Sequence, residues 1–468
     1  MSNSRKKKMP HTLVILMVII LAVTALTWLI PSGEYDRVKD EASGRQVIDP
    51  ASFHYIENSP VNPLSVPMLA VDGFVKVADL IFVILFSGAA FHIITLSGSL
   101  QSLISLVARK TKNKTMLFIP ALTLVFGLIC TTQGVNTFIG FAPVMVMIAI
   151  GLGYDSIVGA SIILLGGAVG FSTGTLNVNT TIVAQKIAGL APYSGLGYRA
   201  VSFFVFYVVT NLFLVRYAMK IQAKPELSPM YDLDQQREIT QQDLSADDTG
   251  MNLRKWGVLA SLFIVLGIIV YGGIKLRWGL AQTAGMFLWL GIVAGFVAGF
   301  VAGFKPSEIA KHFTDGARKM IGAALIIGLA RTVSNVLSAG KIMDTTIHAL
   351  SSVIGQVPWI LRGPVMYIIN IIVNVFITSG SGQAAAVMPI FAPMADTVNM
   401  SRQTAILAFN FGDGFCNYIL PTSTALMGTL GATDIPYERW MKFMGKLFII
   451  WVVLGSLLMV GAQLIGYQ

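Results

Sequence analysis

Residues 402–431 read RQTAILAFNFGDGFCNYILPTSTALMGTLG. Apolar residues stand on both sides of Asn410, Asp413 and Asn417, and a second polar group follows at Pro421, Thr422, Ser423 and Thr424. In hydrocarbon every backbone N–H and C=O must be paired inside the protein, so a break survives only where it is buried in protein or lines water. The stretch is therefore expected to be a membrane helix interrupted twice, at Asn410–Asn417 and at Pro421–Thr424. Asp413, between Gly412 and Gly414, is the deepest acid of the chain and by default marks an ion or solute path. A structural acid satisfying a helix end is the competing reading.

Three other apolar runs are interrupted in the same way. The run 115–153 breaks at Thr131–Thr137, with Gln133, Asn136 and Thr137. The run 156–190 breaks at Gly170–Thr181, with Ser172, Thr173, Asn177 and Asn179. The run 357–398 breaks at Thr378–Gln383, with Ser379, Ser381 and Gln383. Ser, Thr, Asn and Gln are also common glue between membrane helices, so each residue alone is ambiguous. Four such breaks in one chain favour a site.

Composition supports the membrane. Of 468 residues 54% are hydrophobic and 12% charged, with a mean hydropathy of +0.71. Soluble domains carry about 25% charged residues. A soluble enzyme, a disordered tail and a disulfide scaffold are excluded. Cys130 and Cys416 lie in apolar runs without ligand spacing. The net charge of +10 does not point to nucleic acid, because Lys and Arg gather at the ends of apolar segments, as on a cytoplasmic membrane face.

Uninterrupted spans are expected near 11–30, 73–97, 198–220, 256–275, 279–304, 320–338 and 441–465. The Arg5–Lys8 run precedes the first, which has the length of a full span and no Ala-x-Ala cleavage site, so it reads as a retained helix with its amino end in the cytoplasm. Residues 31–71 form an external loop containing Glu34, Asp36, Asp40, Glu41 and Asp49. Arg109, Lys110, Lys112 and Lys114 mark the inner face, as do Lys305, Lys311, Arg318 and Lys319. Residues 221–253 read as a cytoplasmic linker with Glu226, Asp232, Asp234, Glu238, Asp243, Asp247 and Asp248, flanked by Arg216, Lys220, Arg254 and Lys255.

Landmarks recur between the halves at a spacing of about 241–243 residues, the mark of an internal repeat. Leu96-Ser97-Gly98 matches Leu337-Ser338-Ala339, and Asn177–Thr181 matches Leu420–Thr424. With the Gln133 and Ser381 runs read as re-entrant hairpins, the count is about nine transmembrane helices in an all-α polytopic protein. The two repeats are then oppositely oriented and the carboxyl end is external. The expected division is 1–67 (amino segment, first helix and external loop), 68–220 (first repeat), 221–253 (linker), 254–312 (two scaffold helices) and 313–468 (second repeat). Broken segments in inverted repeats place a site at the midplane between them.

Arg331, the deepest base, is a candidate partner for a substrate carboxylate through its planar donor fork, or for Asp413. His92 reads as a packing residue and Lys186 as a snorkelling one. No Walker A, HExxH or Gly-x-Ser-x-Gly pattern occurs, and Gly380-Ser381-Gly382 has no βαβ context. No enzyme and no cofactor are expected. Na⁺ or H⁺ is the expected coupling ion, with Na⁺ near the hairpin tips the one metal considered.

Thr378-Ser-Gly-Ser-Gly-Gln-Ala-Ala385, Phe411-Gly-Asp-Gly-Phe415, Pro421-Thr-Ser-Thr424 and Gly153-Tyr-Asp-Ser156 closely resemble the YfcC family. So does Met9-Pro followed by Thr12-Leu-Val14, with Ile30-Pro-Ser-Gly33. That group sits among the DcuC-like anaerobic C4-dicarboxylate carriers of the ion transporter superfamily. The resemblance covers essentially the whole chain. It implies a bacterial inner-membrane secondary transporter, typically a homodimer, whose transport domain moves as an elevator against a scaffold. It also implies tips at Gln133–Thr137 and Ser379–Gln383 and unwound segments at Ser172–Asn179 and Asn410–Thr424. Some members carry a Gly-Glu-Glu type pair near the first tip, where this chain has Gln133-Gly134-Val135-Asn136. The expected cargo is a small carboxylate-bearing metabolite. An amino acid is favoured, with arginine/ornithine-type exchange among the options, because one deep acid and one deep base suit a zwitterion. A C4-dicarboxylate is the alternative, and a channel a remoter one.

Overall fold

The computed structural model describes residues 12–39, 46–49, 51–99, 102–103, 115–237, 251–276, 278–302 and 304–468. The Arg5–Lys8 run, Asp40, Glu41, the basic cluster Arg109, Lys110, Lys112 and Lys114, and Glu238, Asp243, Asp247 and Asp248 lie outside the described residues.

Among the described residues seven helices are long and apolar enough to cross a membrane. They include α3 (Ala78–Leu96), α8 (Leu196–Ala223), α9 (Leu253–Lys275), α10 (Leu280–Ala302), α12 (Ile321–Ala339) and α18 (Tyr437–Leu464). The seventh is Trp359–Phe376, which contains α14 (Arg362–Phe376). The first helix, α1 (Thr12–Leu29), falls just short of that length. Apart from Trp359–Phe376, the pieces of the interrupted runs fall short because each run is cut. Run 115–153 becomes α4 (Thr115–Cys130), a 3₁₀ segment Val135–Phe141 and α5 (Ala142–Gly151). Run 156–190 becomes α6 (Ser156–Ser172) and α7 (Thr181–Ile187). In the second half the corresponding pieces are α14 with α15 (Gly380–Thr397), and α16 (Arg402–Cys416) with α17 (Thr424–Ala432).

One expected break is absent. α16 runs unbroken through Asn410–Cys416, and the chain leaves the helix only at Asn417–Ser423. The two glycines flanking Asp413 serve packing. A Cβ at Gly414 would fall inside Ser172, and one at Gly412 would lie 2.9 Å from the Tyr367 carbonyl. They bring neighbouring helices close and leave the ladder intact.

The breaks are marked by local capping. Ser379 caps α15 by accepting from the Gly382 N–H, and Ser423 caps α17 by accepting from the Leu426 N–H. Each side-chain oxygen satisfies one of the free N–H groups of a helix start. Asp155 does the same for α6, accepting from the Val158 N–H at 2.9 Å.

The halves pack reciprocally. α2 (Val66–Lys76) lies on α12, and α11 (Pro306–Lys319) lies on α3. In the first pair Gly73 faces the Gly328 carbonyl, and in the second Gly316 faces the Gly88 carbonyl. α15 packs on α7, while α17 packs on the 3₁₀ segment, and α6 crosses α16 between them. Each half thus contributes a bent piece to the other's broken helix. One large apolar core runs through these elements, with a smaller one joining α1 to α12.

Two expectations outside the helices are corrected. The loop after α1 is not purely irregular: β1 (Gly33–Glu34) pairs antiparallel with β4 (His54–Tyr55), and β2 (Arg37–Lys39) with β3 (Gln46–Ile48). The protein is therefore helical with two small sheets. Part of the supposed linker is docked. Residues 231–237 are helical, Asp234 accepts from the Ser156 N–H at 2.8 Å, and Arg237 donates to the Thr433 carbonyl at 2.6 Å. Ser228 and Tyr217 donate to Asp155 at 2.6 and 2.5 Å. Burial raises the pKa of both Asp155 and Asp234 above the ordinary carboxylate range, whereas hydrogen bonding from Arg439 holds exposed Asp232 down to about 2.

Candidate functional site

The breaks of both halves enclose one cavity of about 300 Å³. Its wall combines Gly134, Val135 and Asn136 from the first tip with Thr378, Ser379 and Gly380 from the second. Phe171 comes from the end of α6, Asp413 and Asn417 from the end of α16, Tyr418 from the break that follows, and Ser423, Thr424 and Ala425 from the start of α17. Of the residues singled out in the sequence, Asn136, Ser379, Asp413, Asn417 and Ser423 line it directly.

Asp413 is 1% exposed. Asn374 of α14 donates to its Oδ1 at 2.7 Å and to its carbonyl at 2.9 Å, and Asn417 Nδ2 donates to the same carbonyl at 2.6 Å. No ion pair reaches Asp413 from the described residues. The tip of the second hairpin touches it: a Cβ at Gly380 would stand 2.7 Å from Asp413 Oδ2 and 2.7 Å from Thr180 Cγ2. Only a residue without a side chain lets the tip close so tightly over the carboxylate.

The remaining sequence candidates form a second layer or turn away. Gln383 is buried and donates to the Asn370 carbonyl and Oδ1, both at 3.1 Å. Asn410 accepts from Thr181 Oγ1 at 3.2 Å. Ser172 and Thr422 are buried with hydroxyls that have no hydrogen-bond partner among the described residues, and the same holds for Asn136 Oδ1, Asn374 Oδ1, Gln383 Oε1 and Asn410 Nδ2. Thr173 returns its hydroxyl to the Val169 carbonyl at 2.8 Å, a helix-internal bond. Asn177 accepts from the N–H groups of Asn179 and Thr180 and so shapes the break, leaving Asn179 itself exposed. Gln133 donates to the Gly273 carbonyl of α9 at 2.7 Å, outside the cavity wall. Thr137 and Ser381 are half-buried neighbours of the two tips. Arg331 stands on α12, outside the wall, with Nε lacking a partner.

Sequence reading missed Asn370 and Asn374. They stand four apart on α14, on one helical face within an otherwise apolar run. That spacing was the available signal, but both lie before the break that drew attention.

Chemically, the cavity opposes two kinds of charge. The capped starts of α15 and α17, at Ser379–Gly380 and Ser423–Thr424, present N–H groups and the positive ends of helix dipoles, which favour an anionic group. On the same cavity, in contact with the start of α15 at Gly380, stands one carboxylate, Asp413, with no cation paired to it among the described residues.

Comparison with known proteins follows this geometry. The chain is 30% identical over 499 residues to a protein of Escherichia coli (strain K12) named "Putative basic amino acid antiporter YfcC", covering 99% of this chain and 98% of that one. It is 27% identical over 508 residues to an uncharacterized protein of Haemophilus influenzae (strain ATCC 51907 / DSM 11121 / KW20 / Rd), covering 98% of each. Among solved structures it is similar to the Alcanivorax borkumensis YdaH transporter, at 16% identity and a TM-score of 0.41 over 98% of this chain and 99% of that one. It is also similar to Neisseria gonorrhoeae MtrF, described as illuminating a class of antimetabolite efflux pumps, at 16% identity and a TM-score of 0.42 over 97% and 95%. Residues 9–464 match the model of the DcuC family, described as C4-dicarboxylate anaerobic carrier, and the chain belongs to that family of membrane carriers.

Proposed function

We propose that this protein is a secondary active transporter that carries a small carboxylate-bearing metabolite, most simply an amino acid, across the bacterial inner membrane. The observation that carries the reading is the single cavity in which Asp413 faces the capped helix starts at Ser379 and Ser423. The helix starts receive the solute's carboxylate. Asp413 takes its ammonium group or the coupling cation, Na⁺ or H⁺. A buried carboxylate with one amide donor and no paired cation among the described residues is costly, so its charge is to be matched by what the cavity binds. Asn136 and Asn417 supply further contacts, and Thr422, Gln383 and Asn374 hold the inner layer.

The proposed movement is an elevator. The mobile unit holds the hairpins α4–α5 and α14–α15, the broken helices α6–α7 and α16–α17, and α8 and α18. α1–α3 and α9–α12 form the scaffold. The reciprocal packing of the halves supports repeats of opposite orientation, with the amino end cytoplasmic and the carboxyl end external. A homodimer is the proposed assembly, carried over from the resemblance.

A C4-dicarboxylate is the second reading, favoured by the family description and by two helix starts on one cavity, one for each carboxylate. Counterflow in proteoliposomes separates the two. Vesicles preloaded with arginine, alanine, glutamate or succinate are diluted into the labelled solute. Trans-stimulated uptake of an amino acid supports the first reading, uptake of succinate alone replaces it with the second, and ohmic current without counterflow makes the protein a channel.

A further inference from the structure

A second, larger cavity of about 480 Å³ lies where the loop after α1 meets α12, α13 (Met343–Ser351) and the second hairpin. One wall is the hairpin itself, at Ile377, Gly382, Ala385 and Ala386. Gly382 stands two residues from Gly380, which lines the central cavity. The tip of the second hairpin is therefore the partition between the two spaces.

The opposite wall is charged and built. Arg37 grips Asp344 through both carboxylate oxygens at 3.0 and 2.9 Å and donates to the Tyr35 carbonyl at 3.0 Å. Asp344 also accepts from the Tyr35 N–H at 3.0 Å and is 6% exposed, so its charge is committed to the wall. A guanidinium has five N–H donors; these three bonds leave two, on a side chain 45% exposed. Lys341 faces the same cavity, paired at 3.3 Å with Glu34. Burial and the Asp344 charge push the Tyr35 phenol up to about 12, so it remains a neutral hydrogen-bonding group. Among the described residues the wall carries two bases, Arg37 and Lys341, and two acids, Asp344 and Glu34, so its charges balance, and what it offers a ligand is the two spare guanidinium N–H groups and the Lys341 ammonium.

We infer that this cavity is an antechamber on the face where α1 ends, in which Arg37 and Lys341 hold the carboxylate of the solute before the second hairpin moves aside. The inference rests on the carrier reading and adds to it a capture site used from one side of the membrane only. Its ligand class is a small carboxylate, zwitterionic or anionic, and Glu34 is placed to meet an ammonium group when there is one.

The test compares right-side-out with inverted membrane vesicles carrying wild type, Lys341→Gln or Arg37→Lys, using whichever of labelled arginine, alanine, glutamate and succinate counterflows. Arg37→Lys keeps an ion pair for Asp344, so the wall stays anchored while the planar fork is lost. KM is expected to rise about three- to tenfold in right-side-out vesicles with kcat unchanged, and to stay at the wild-type value in inverted vesicles. Raising the salt from 50 to 300 mM is expected to raise the wild-type KM on the same side only, as screening of exposed charge requires. Wild-type counterflow with KM shifts that are absent, or equal on both sides, overturns the antechamber alone. Failure of the wild type to counterflow any of the four solutes overturns the carrier reading and this inference with it.

Discussion

Asp413 and Gly380 show how much a single position determines here. The tip of the second hairpin closes to within contact of the carboxylate because position 380 has no side chain. Gly380→Ala is therefore expected to cut transport at least tenfold, measured as counterflow rate, while the melting temperature in detergent changes little. Asp413→Asn is expected to abolish gradient-driven uptake; retained exchange would assign Asp413 to the coupling ion, and lost exchange to the solute. Unchanged transport would remove Asp413 from the site. Asn374 donates to that carboxylate, a charge-assisted bond roughly twice as strong as a neutral one. Asn374→Leu removes that donor and is expected to weaken solute binding in the same assay.

Two packing arrangements dominate among the elements. Gly73 on α2 and Gly316 on α11 sit at matching places in the reciprocal helix contacts, but the spaces differ. A Cβ at Gly73 would meet the Gly328 carbonyl and Thr332 Oγ1 at 3.0 Å, whereas one at Gly316 would meet the Ala89 Cα and His92 Cβ at 2.7 Å. Overpacking of this kind costs about 1–3 kcal/mol. Thermal unfolding in detergent is expected to show Gly316→Ala near the top of that range and Gly73→Ala near the bottom. The second arrangement is the docked segment 225–237. Asp155 is surrounded by Tyr217, Ser228 and Asp234, and Asp234 by Ser156, Arg237 and Arg439. Both carboxyls have raised pKa values, so the docked form binds protons more readily than the released form. Docking strengthens as pH falls from neutrality toward the ordinary carboxylate range and weakens as pH rises through the raised values. The Asp232–Arg439 pair has the opposite sign, but with Asp232 held to about 2 it stays ionised throughout that window. Limited proteolysis within 225–237 is expected to run slower at pH 5 than at pH 7.5; equal rates would show that the two buried acids do not control docking.

For the whole molecule, the proposed division into scaffold and mobile unit predicts which joints can be locked. Gln133 bonds the Gly273 carbonyl across that division, and a Cβ at Gly273 would stand 3.4 Å from the Gln133 side chain. Gln133→Cys with Gly273→Cys, bridged by a short reducible bis-thiol cross-linker, is expected to stop counterflow and to recover on reduction. The native Cys130 and Cys416 are buried and free, so they leave the assay clean. Transport that continues with the bridge formed would place both residues in one rigid body.

The membrane setting and all four broken runs were legible in the sequence, though not the continuity of α16 through Asn410–Cys416, because the breaks follow from local chemistry. Too few charges remain to face water, and Gly, Ser, Thr and Asn interrupt apolar runs where caps such as Ser379 and Ser423 start new helices. The tertiary structure decided what local pattern cannot hold. It carried α16 straight through Gly412-Asp413-Gly414, because those glycines meet Ser172 and Tyr367 on helices far away in sequence. It brought Asn374 to Asp413 and left Arg331 outside the cavity wall. It also docked Asp234 onto the start of α6. Breaks and caps are settled by neighbours within a few residues; which breaks share a cavity depends on how helices from both halves pack, and that energy exists only once the chain has folded.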